Sequence, residues 1–190
     1  GGIRFDRRGN LYVAWVDGPP HNVPPGFEKD PKFARTTGRI HKFAPTGSLA
    51  AANLFPTEPK PAQVYDVHYG SISDFFTRTP RFGVDPHGQI YYPSALQPAV
   101  CVIDNAGNQI LTFGQYANRD STGGLPSDLV PTDDVPLGWP NSVDATDTHI
   151  YVSDIVNIRL LRLAKTFATT AIIDAFEASP IDELDPPWTK

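Results

Sequence analysis

Asp66 and His68 are the two residues whose types and spacing best suit catalysis. In an extended chain, residues two positions apart lie on the same side, so the carboxylate and the imidazole would face the same way. A carboxylate that orients a histidine is typical of a general base or of a metal ligand. A surface histidine in an aromatic loop is the simpler alternative, and the sequence leaves both open.

Other candidates for chemistry have structural explanations that suit them better. Cys101 has no evident partner base, so we expect a small buried hydrophobe rather than a nucleophile. Asp128, Asp133 and Asp134 form an acidic loop whose order does not match the alternating carboxylates of a calcium loop. The chain has no Gly-rich phosphate loop, no serine nucleophile elbow and no cysteine pair. The sequence therefore leans towards a protein without enzymatic activity and without a cofactor.

The composition is that of a globular chain rich in turns. The 190 residues include 20 prolines, 40% hydrophobic and 19% charged residues, which argues against both a helical bundle and disorder. The net charge is −5 and the basic residues are scattered, so the sequence lacks the clustered positive charge that is typical of nucleic-acid binding. No stretch approaches the roughly 18 apolar residues of a membrane span.

The single cysteine leaves the compartment open, and we favour an extracellular or periplasmic location. The lack of methionine and the Gly1-Gly2 start predict a fragment.

One pattern recurs three times along the chain. Residues 3–13, 82–92 and 142–152 each alternate apolar and polar residues at period 2, and the first two copies contain Asp-x-x-Gly. This alternation around a glycine turn predicts a hairpin. A second predicted hairpin follows each copy: its first strand begins at the evenly spaced Ile40, Val100 and Leu160, and its turn lies at 45–47, 105–107 and 165–167. Four strands per unit, repeated along the chain, are typical of the blades of a β-propeller.

The third unit carries a family resemblance. Its segment 152–160, V-S-D-I-V-N-I-R-L, resembles the V-A-D-x-x-N-x-R-I segment of NHL-repeat β-propellers. The second unit is similar to the rest of that repeat, whereas Trp15 stands where the first unit would have the family's aspartate. The resemblance implies an all-β fold, a β-propeller of four-stranded antiparallel blades in an incomplete ring of about three blades. In the third unit, we expect Asp154 and Arg159 to pair across the turn.

These units predict the organisation of the chain. Blade 1 covers residues 1–55 and includes a long insertion at 15–37. Residues 56–113 form a long connection, 56–80, followed by blade 2, and residues 114–173 form a second long connection, 114–140, followed by blade 3. Residues 174–190 form an acidic C-terminal tail.

The long connections are the predicted binding surface. In an up-and-down blade, alternate connections leave from the same face, and we expect every large insertion to leave from one face. Connections longer than about 12 to 15 residues in a compact domain are usually functional or disordered, and these contain many aromatic residues. We expect a partner to bind at Tyr65, His68, Tyr69, Tyr116 and Trp139. The alternative, that these side chains only pack against the propeller or the rest of the protein, remains open.

A second resemblance suggests a metal. The segment 140–144 is similar to the Asn-Gly-x-Asp entry to a blade in gluconolactonase-type six-bladed propellers, and that likeness implies a divalent metal, calcium or zinc, on Asn141. The alternative for Asn141 is an amide that satisfies backbone groups at a strand start. Only His21 and His68 would lie on the face of the long connections, too few for a zinc site with three protein ligands.

The sequence thus favours a non-catalytic interaction or scaffold module that is part of a larger propeller-containing protein. Its partner would be another protein or the remainder of its own chain, and a second copy could close the ring. The alternative is a metal-dependent enzyme of lactonase or lyase type whose other ligands lie outside these 190 residues.

Overall fold

A computed structural model describes residues 2–16, 26, 28–29, 38–45, 60–67, 80–94, 97–118, 120–121 and 130–166. Every regular element in these residues is a β-strand. They contain no helix with the length and apolar character that a membrane crossing requires. The all-β prediction is therefore confirmed for the described part of the chain.

Three antiparallel sheets dominate the fold. The first sheet has the order β1 (Gly2–Phe5), β2 (Leu11–Val16), β3 (Gly38–Phe43) and β4 (Gln63–Val67). The second has the order β5 (Gly83–Val84), β6 (Ile90–Pro93), β7 (Val100–Ile103) and β8 (Gln109–Phe113). A small parallel pair follows, β9 (Gln115–Tyr116) with β10 (Pro136–Leu137). The third sheet has the order β11 (Pro140–Ala145), β12 (His149–Asp154) and β13 (Arg159–Ala164).

Aspartates build the hairpin turns of the first two sheets. In Asp6, Asp85 and Asp104, Oδ1 accepts the backbone N–H groups two and four residues later, at 2.8 to 3.0 Å. The third residue after each aspartate is a glycine with φ between 79° and 94°, a conformation that costs glycine nothing sterically. Thr146 replaces the aspartate in the third sheet, and its hydroxyl accepts the N–H groups of Thr148 and His149. The third turn therefore needs no glycine.

The second sheet lies between the other two, and this explains why both of its faces are apolar. One core joins it to the first sheet through Ile90, Tyr92, Cys101 and Ile103. The other core joins it to the third sheet through Tyr91, Val100, Val102 and Phe113. Neighbouring residues of β6 and β7 thus point to opposite cores, and all eight residues of these two strands are buried.

The two ends of the stack differ. We call the end that carries the turns 6–10, 85–89 and 104–108 the turn end. The opposite end, which carries residues 94, 97–99, 114–118, 136–139 and 155–158, is the loop end. Because the strands are antiparallel, the connections from β2 to β3 and from β4 to β5 also leave at the loop end.

The fourth strand of the first sheet lies further along the chain than the sequence analysis placed it. The turn signal near Pro45 predicted an immediate return, but the strand that pairs with β3 is β4, inside the segment 56–80 that was interpreted as a connection. In β4, Tyr65 and Val67 are buried while Val64 and Asp66 are exposed, an alternation that suits a sheet with one covered face. The connection 44–62 therefore leaves at the turn end, so the expectation that all long connections share one face is wrong.

The described residues form a stack of three sheets rather than a closed ring. Two of the sheets have four strands, as blades of a propeller would. The third has three described strands, and the return strand expected after Phe167 lies outside the described residues, as do most of the insertion at 15–37 and all of the tail 174–190.

Candidate functional site

Asp154 organises the loop end of the third sheet. Its carboxylate is fully buried and accepts hydrogen bonds from the backbone N–H groups of Gly138 and Trp139, both at 2.9 Å. Asn157 donates to it at 2.7 Å and Arg159 at 3.3 Å. Burial raises the pKa of this carboxyl, but the hydrogen bonds and the charge of Arg159 outweigh it and hold the pKa below its ordinary value. The predicted pairing of Asp154 with Arg159 is confirmed.

The same network fixes the segment that holds β9 and β10. The Asn157 amide also donates to the carbonyl of Ala117 at 2.9 Å, and the Arg159 guanidinium donates to the carbonyl of Pro136. Gly138 packs closely on the turn 155–158, because a Cβ added at Gly138 would lie 2.8 Å from Val156 Cβ. Both ends of the connection 114–139 are therefore tied to the third sheet.

This anchored region exposes apolar side chains. Tyr116 is 61% exposed, Val156 48% and Ile158 78%, while Trp139 is half-buried. We call these four residues the loop-end patch. They belong to neighbouring segments, because the N–H of Ile155 donates to the carbonyl of Trp139 and Asn157 bonds the residue after Tyr116.

Ile158 has an unusual backbone. Its φ is 51°, the single positive value among the described residues other than glycine. A β-branched side chain rarely adopts this left-handed conformation, which costs roughly 1 to 2 kcal/mol. The Asp154 network on either side of Ile158 holds the turn in place while its side chain faces solvent. Backbone strain of this kind is concentrated at functional sites.

Two of the predicted partner-binding residues lie in this patch, but Tyr65 does not. Tyr116 and Trp139 are at the loop end, whereas Tyr65 is 4% exposed and packs between the first and second sheets. Its hydroxyl donates to the carbonyl of Asn105, 2.9 Å away at the turn end, and burial raises its pKa to about 12. Sequence alternation around Tyr65 carried the signal for a buried strand residue. The predicted residues His68 and Tyr69 lie outside the described residues.

Asp66 has an ion-pair partner on the neighbouring strand. Arg39 Nε donates to its carboxylate at 2.7 Å, across the pairing of β3 with β4. Both side chains are partly exposed on the outer face of the first sheet. The predicted pairing of Asp66 with His68 involves a residue outside the described part of the chain and stays a prediction.

Asn141 is half-buried on β11. Its amide nitrogen lies 3.5 Å from Ser142 Oγ, and its backbone carbonyl accepts the N–H of Arg81 at 3.0 Å. Among the described residues, no three histidine, cysteine, aspartate or glutamate side chains are grouped as a metal site would require. Metal binding at Asn141 stays a prediction.

Cys101 lies in the core that joins the first two sheets. Its thiol is buried, with Thr112 Oγ1 at 3.6 Å. Burial raises the pKa of the thiol, which keeps it protonated and unreactive. This location agrees with the interpretation of Cys101 as a small hydrophobe.

Sequence reasoning missed Val156 and Ile158 as surface residues. Both occupy variable positions of the segment 152–160, whose pattern gives a resemblance but no role for these two residues. Their signal was an apolar residue at each variable position of a turn, where polar residues are the usual choice.

No protein-family model matches this chain, and no curated protein matches it either. The class that the structure defines is an all-β protein of stacked antiparallel sheets, compatible with a propeller-like fold.

Proposed function

We propose that this protein is a non-catalytic interaction or scaffold module that binds a protein partner through the loop-end patch. Ile158 is the observation that carries the proposal. An isoleucine in a left-handed conformation with 78% of its surface exposed contributes little to the fold and strains the backbone. An apolar side chain held out to solvent in this way suits the centre of a protein interface.

The surroundings of Ile158 support binding without rearrangement. Hydrogen bonds to Asp154 fix the backbone at Gly138 and Trp139 and the side chain of Asn157 before any partner binds. A surface that is already ordered loses little conformational entropy when it binds. Tyr116 and Trp139 add aromatic area, which is enriched where interfaces are strongest.

We further propose that the sheets are blades of an NHL-like propeller within a larger protein. The repeated aspartate turns and the repeated stacking of one sheet on the next support this assignment. In such an architecture the sheets serve as a rigid scaffold, and the connections at the loop end carry recognition.

Site-specific crosslinking tests the proposed surface. A photoreactive amino acid replaces Ile158 in the full chain, and a matched control carries it at Ile110, which is 49% exposed on β8 near the turn end. After irradiation in an extract of the source cells, we expect a product of discrete mass from position 158 and none from position 110. Identical products from both positions, or none from either, would contradict the proposal.

A further inference from the structure

A cavity opens where the first strand of the first sheet meets the residues that lead into β5. Its volume is about 460 Å³, which lies within the range of cavities that hold small molecules. The residues that line it are Gly2, Ile3, Arg4, Val13, Ala14 and Arg81. The lining thus combines two positively charged side chains with apolar ones.

This cavity belongs to the junction of the first and second sheets. A Cβ added at Gly2 would lie 3.3 Å from the Phe82 ring, and Arg4 Cζ lies 6.0 Å from the centre of that ring. Ala14 is part of the same buried core as Phe82. Gly2, Arg4 and Ala14 therefore face the second sheet, so the cavity does not depend on what covers the outer face of the first sheet.

Arg81 brings an unpaired guanidinium group to the cavity. Its backbone is fixed, because its N–H donates to the carbonyl of Asn141 at 3.0 Å and its carbonyl accepts the N–H of Val143 at 2.9 Å. The side chain is exposed, and its guanidinium has no hydrogen-bond or ion-pair partner within the part of the chain that the structure describes. A fixed backbone with a free cationic side chain suits the binding of an anion.

Arg4 also has hydrogen-bond donors to spare. One of its terminal nitrogens, Nη1, donates to the carbonyl of Ile3 at 3.0 Å, but Nε is shielded from solvent and has no hydrogen-bond partner. The carboxylate of Asp144 lies 3.9 Å from Nε, too far for a hydrogen bond. A shielded N–H group without an acceptor costs free energy that an anionic oxygen would recover. Two guanidinium groups against one carboxylate leave this region positive.

We propose that the cavity binds a small organic carboxylate. The carboxylate accepts hydrogen bonds from Arg4 and Arg81, because a planar guanidinium matches the two oxygens of such a group. The apolar body of the ligand covers Ile3, Val13 and Ala14, which an inorganic anion would leave uncovered. The inference does not rest on the proposed partner binding at the loop-end patch.

Calorimetric titration with four probes tests the class of ligand. Benzoate carries a carboxylate on an apolar body, benzamide is its neutral counterpart, and acetate and inorganic phosphate are anions without an apolar body. We expect benzoate to bind at one site per chain, and each of the other probes to bind at least about tenfold more weakly. A probe that matched the affinity of benzoate would overturn the proposal, and so would the absence of benzoate binding at millimolar concentration.

Three arginine variants locate the benzoate site. Arg81→Gln and Arg4→Gln each remove one guanidinium group, and each should weaken benzoate binding by about tenfold. Arg162→Gln is the matched control, because Arg162 is exposed on β13 and does not line the cavity, and it should leave the affinity unchanged.

Circular dichroism identifies any variant that does not fold. Arg81 is exposed and makes no side-chain contact that folding requires, so Arg81→Gln keeps the test decisive even if Arg4→Gln unfolds. Equal benzoate affinities in folded Arg81→Gln and Arg162→Gln would overturn the proposed site.

Discussion

Asp154 accepts four hydrogen bonds at the loop end, and Asp6 and Asp85 accept four each at the turn end. At the residue scale, these carboxylates accept backbone N–H groups that would otherwise need backbone carbonyl groups as acceptors. A buried carboxylate is stable only when its oxygens are satisfied in this way. The role that the hydrogen bonds of these aspartates indicate is therefore a structural one: they stabilise the turns and the loop end.

Asp154→Asn should destabilise the fold strongly. The amide keeps the size of the side chain but places an N–H group among four donors, and it leaves the Arg159 charge without its buried partner. We expect the free energy of unfolding to fall by about 2 to 4 kcal/mol, measured by urea denaturation. Asp66→Asn is the matched control, because it breaks a partly exposed ion pair worth about 1 kcal/mol or less. Equal losses in the two variants would contradict the anchoring role of Asp154.

Acid should weaken the fold through the same carboxyl. The pKa of Asp154 is lower in the folded chain than in the unfolded chain, so its ionised form stabilises the fold above the unfolded value of about 4. This contribution is lost as the pH falls below that value and through the folded pKa. Unfolding free energies measured at a series of acid pH values should fall less steeply in Asp154→Asn. Parallel curves for the two proteins would contradict the lowered pKa.

At the element scale, turn chemistry and alternation account for most of what the sequence predicted. Period-2 alternation predicted the strands of the second sheet. The Asp-x-x-Gly sequences that begin at Asp85 and Asp104 predicted the turns of its two hairpins. The same reasoning failed for β4, since a turn signal at Pro45 fixes a change of direction but not the residue at which pairing resumes. Pairing there depends on which later residues can bury Tyr65 and Val67 against the second sheet. The alternation around Tyr65 indicates a buried strand residue, but it does not indicate which sheet that strand joins, because the contact is remote in sequence.

Two turn glycines should differ in their tolerance of alanine. Gly9 and Gly107 both have positive φ, so alanine strains each backbone by about 1 to 2 kcal/mol. An added Cβ at Gly107 would also lie 3.3 Å from Tyr65 Cδ1, whereas at Gly9 the nearest atom is 3.8 Å away. We expect Gly107→Ala to lower the melting temperature more than Gly9→Ala. A larger loss of melting temperature in Gly9→Ala would contradict a close contact between the turn at Gly107 and the buried Tyr65.

At the scale of the whole molecule, the described residues form a stack in which the second sheet buries one face on the first sheet and the other face on the third. The sequence predicted these repeats and their all-β character. It predicted Tyr116 and Trp139 as binding residues but could not place Val156 and Ile158 beside them, because Asp154 and Asn157 bring these segments together through partners that are distant along the chain.

Lys165→Met tests how firmly the second and third sheets are joined. Lys165 is 4% exposed at its side chain and pairs with Asp85, which is fully buried. Removing the ammonium group leaves a buried carboxylate with an unbalanced charge, at a cost of about 3 kcal/mol. Lys42→Met is the control, because Lys42 donates to the neutral amide oxygen of Asn105, a bond worth about 1 kcal/mol. Equal losses of unfolding free energy in the two variants, measured by chemical denaturation, would contradict a stabilising ion pair between the second and third sheets.

The most direct test of the proposed function combines the stability and the binding of Ile158→Asn. Asparagine tolerates the left-handed conformation, so the variant should unfold at higher urea concentration, by about 1 kcal/mol of relieved strain. The same change removes the exposed apolar side chain, and its affinity for the partner captured by crosslinking should fall by about tenfold or more, which equals at least about 1.4 kcal/mol. A more stable variant that binds less tightly would show that strain at Ile158 is retained for recognition. A variant that binds with unchanged affinity would contradict the proposed function.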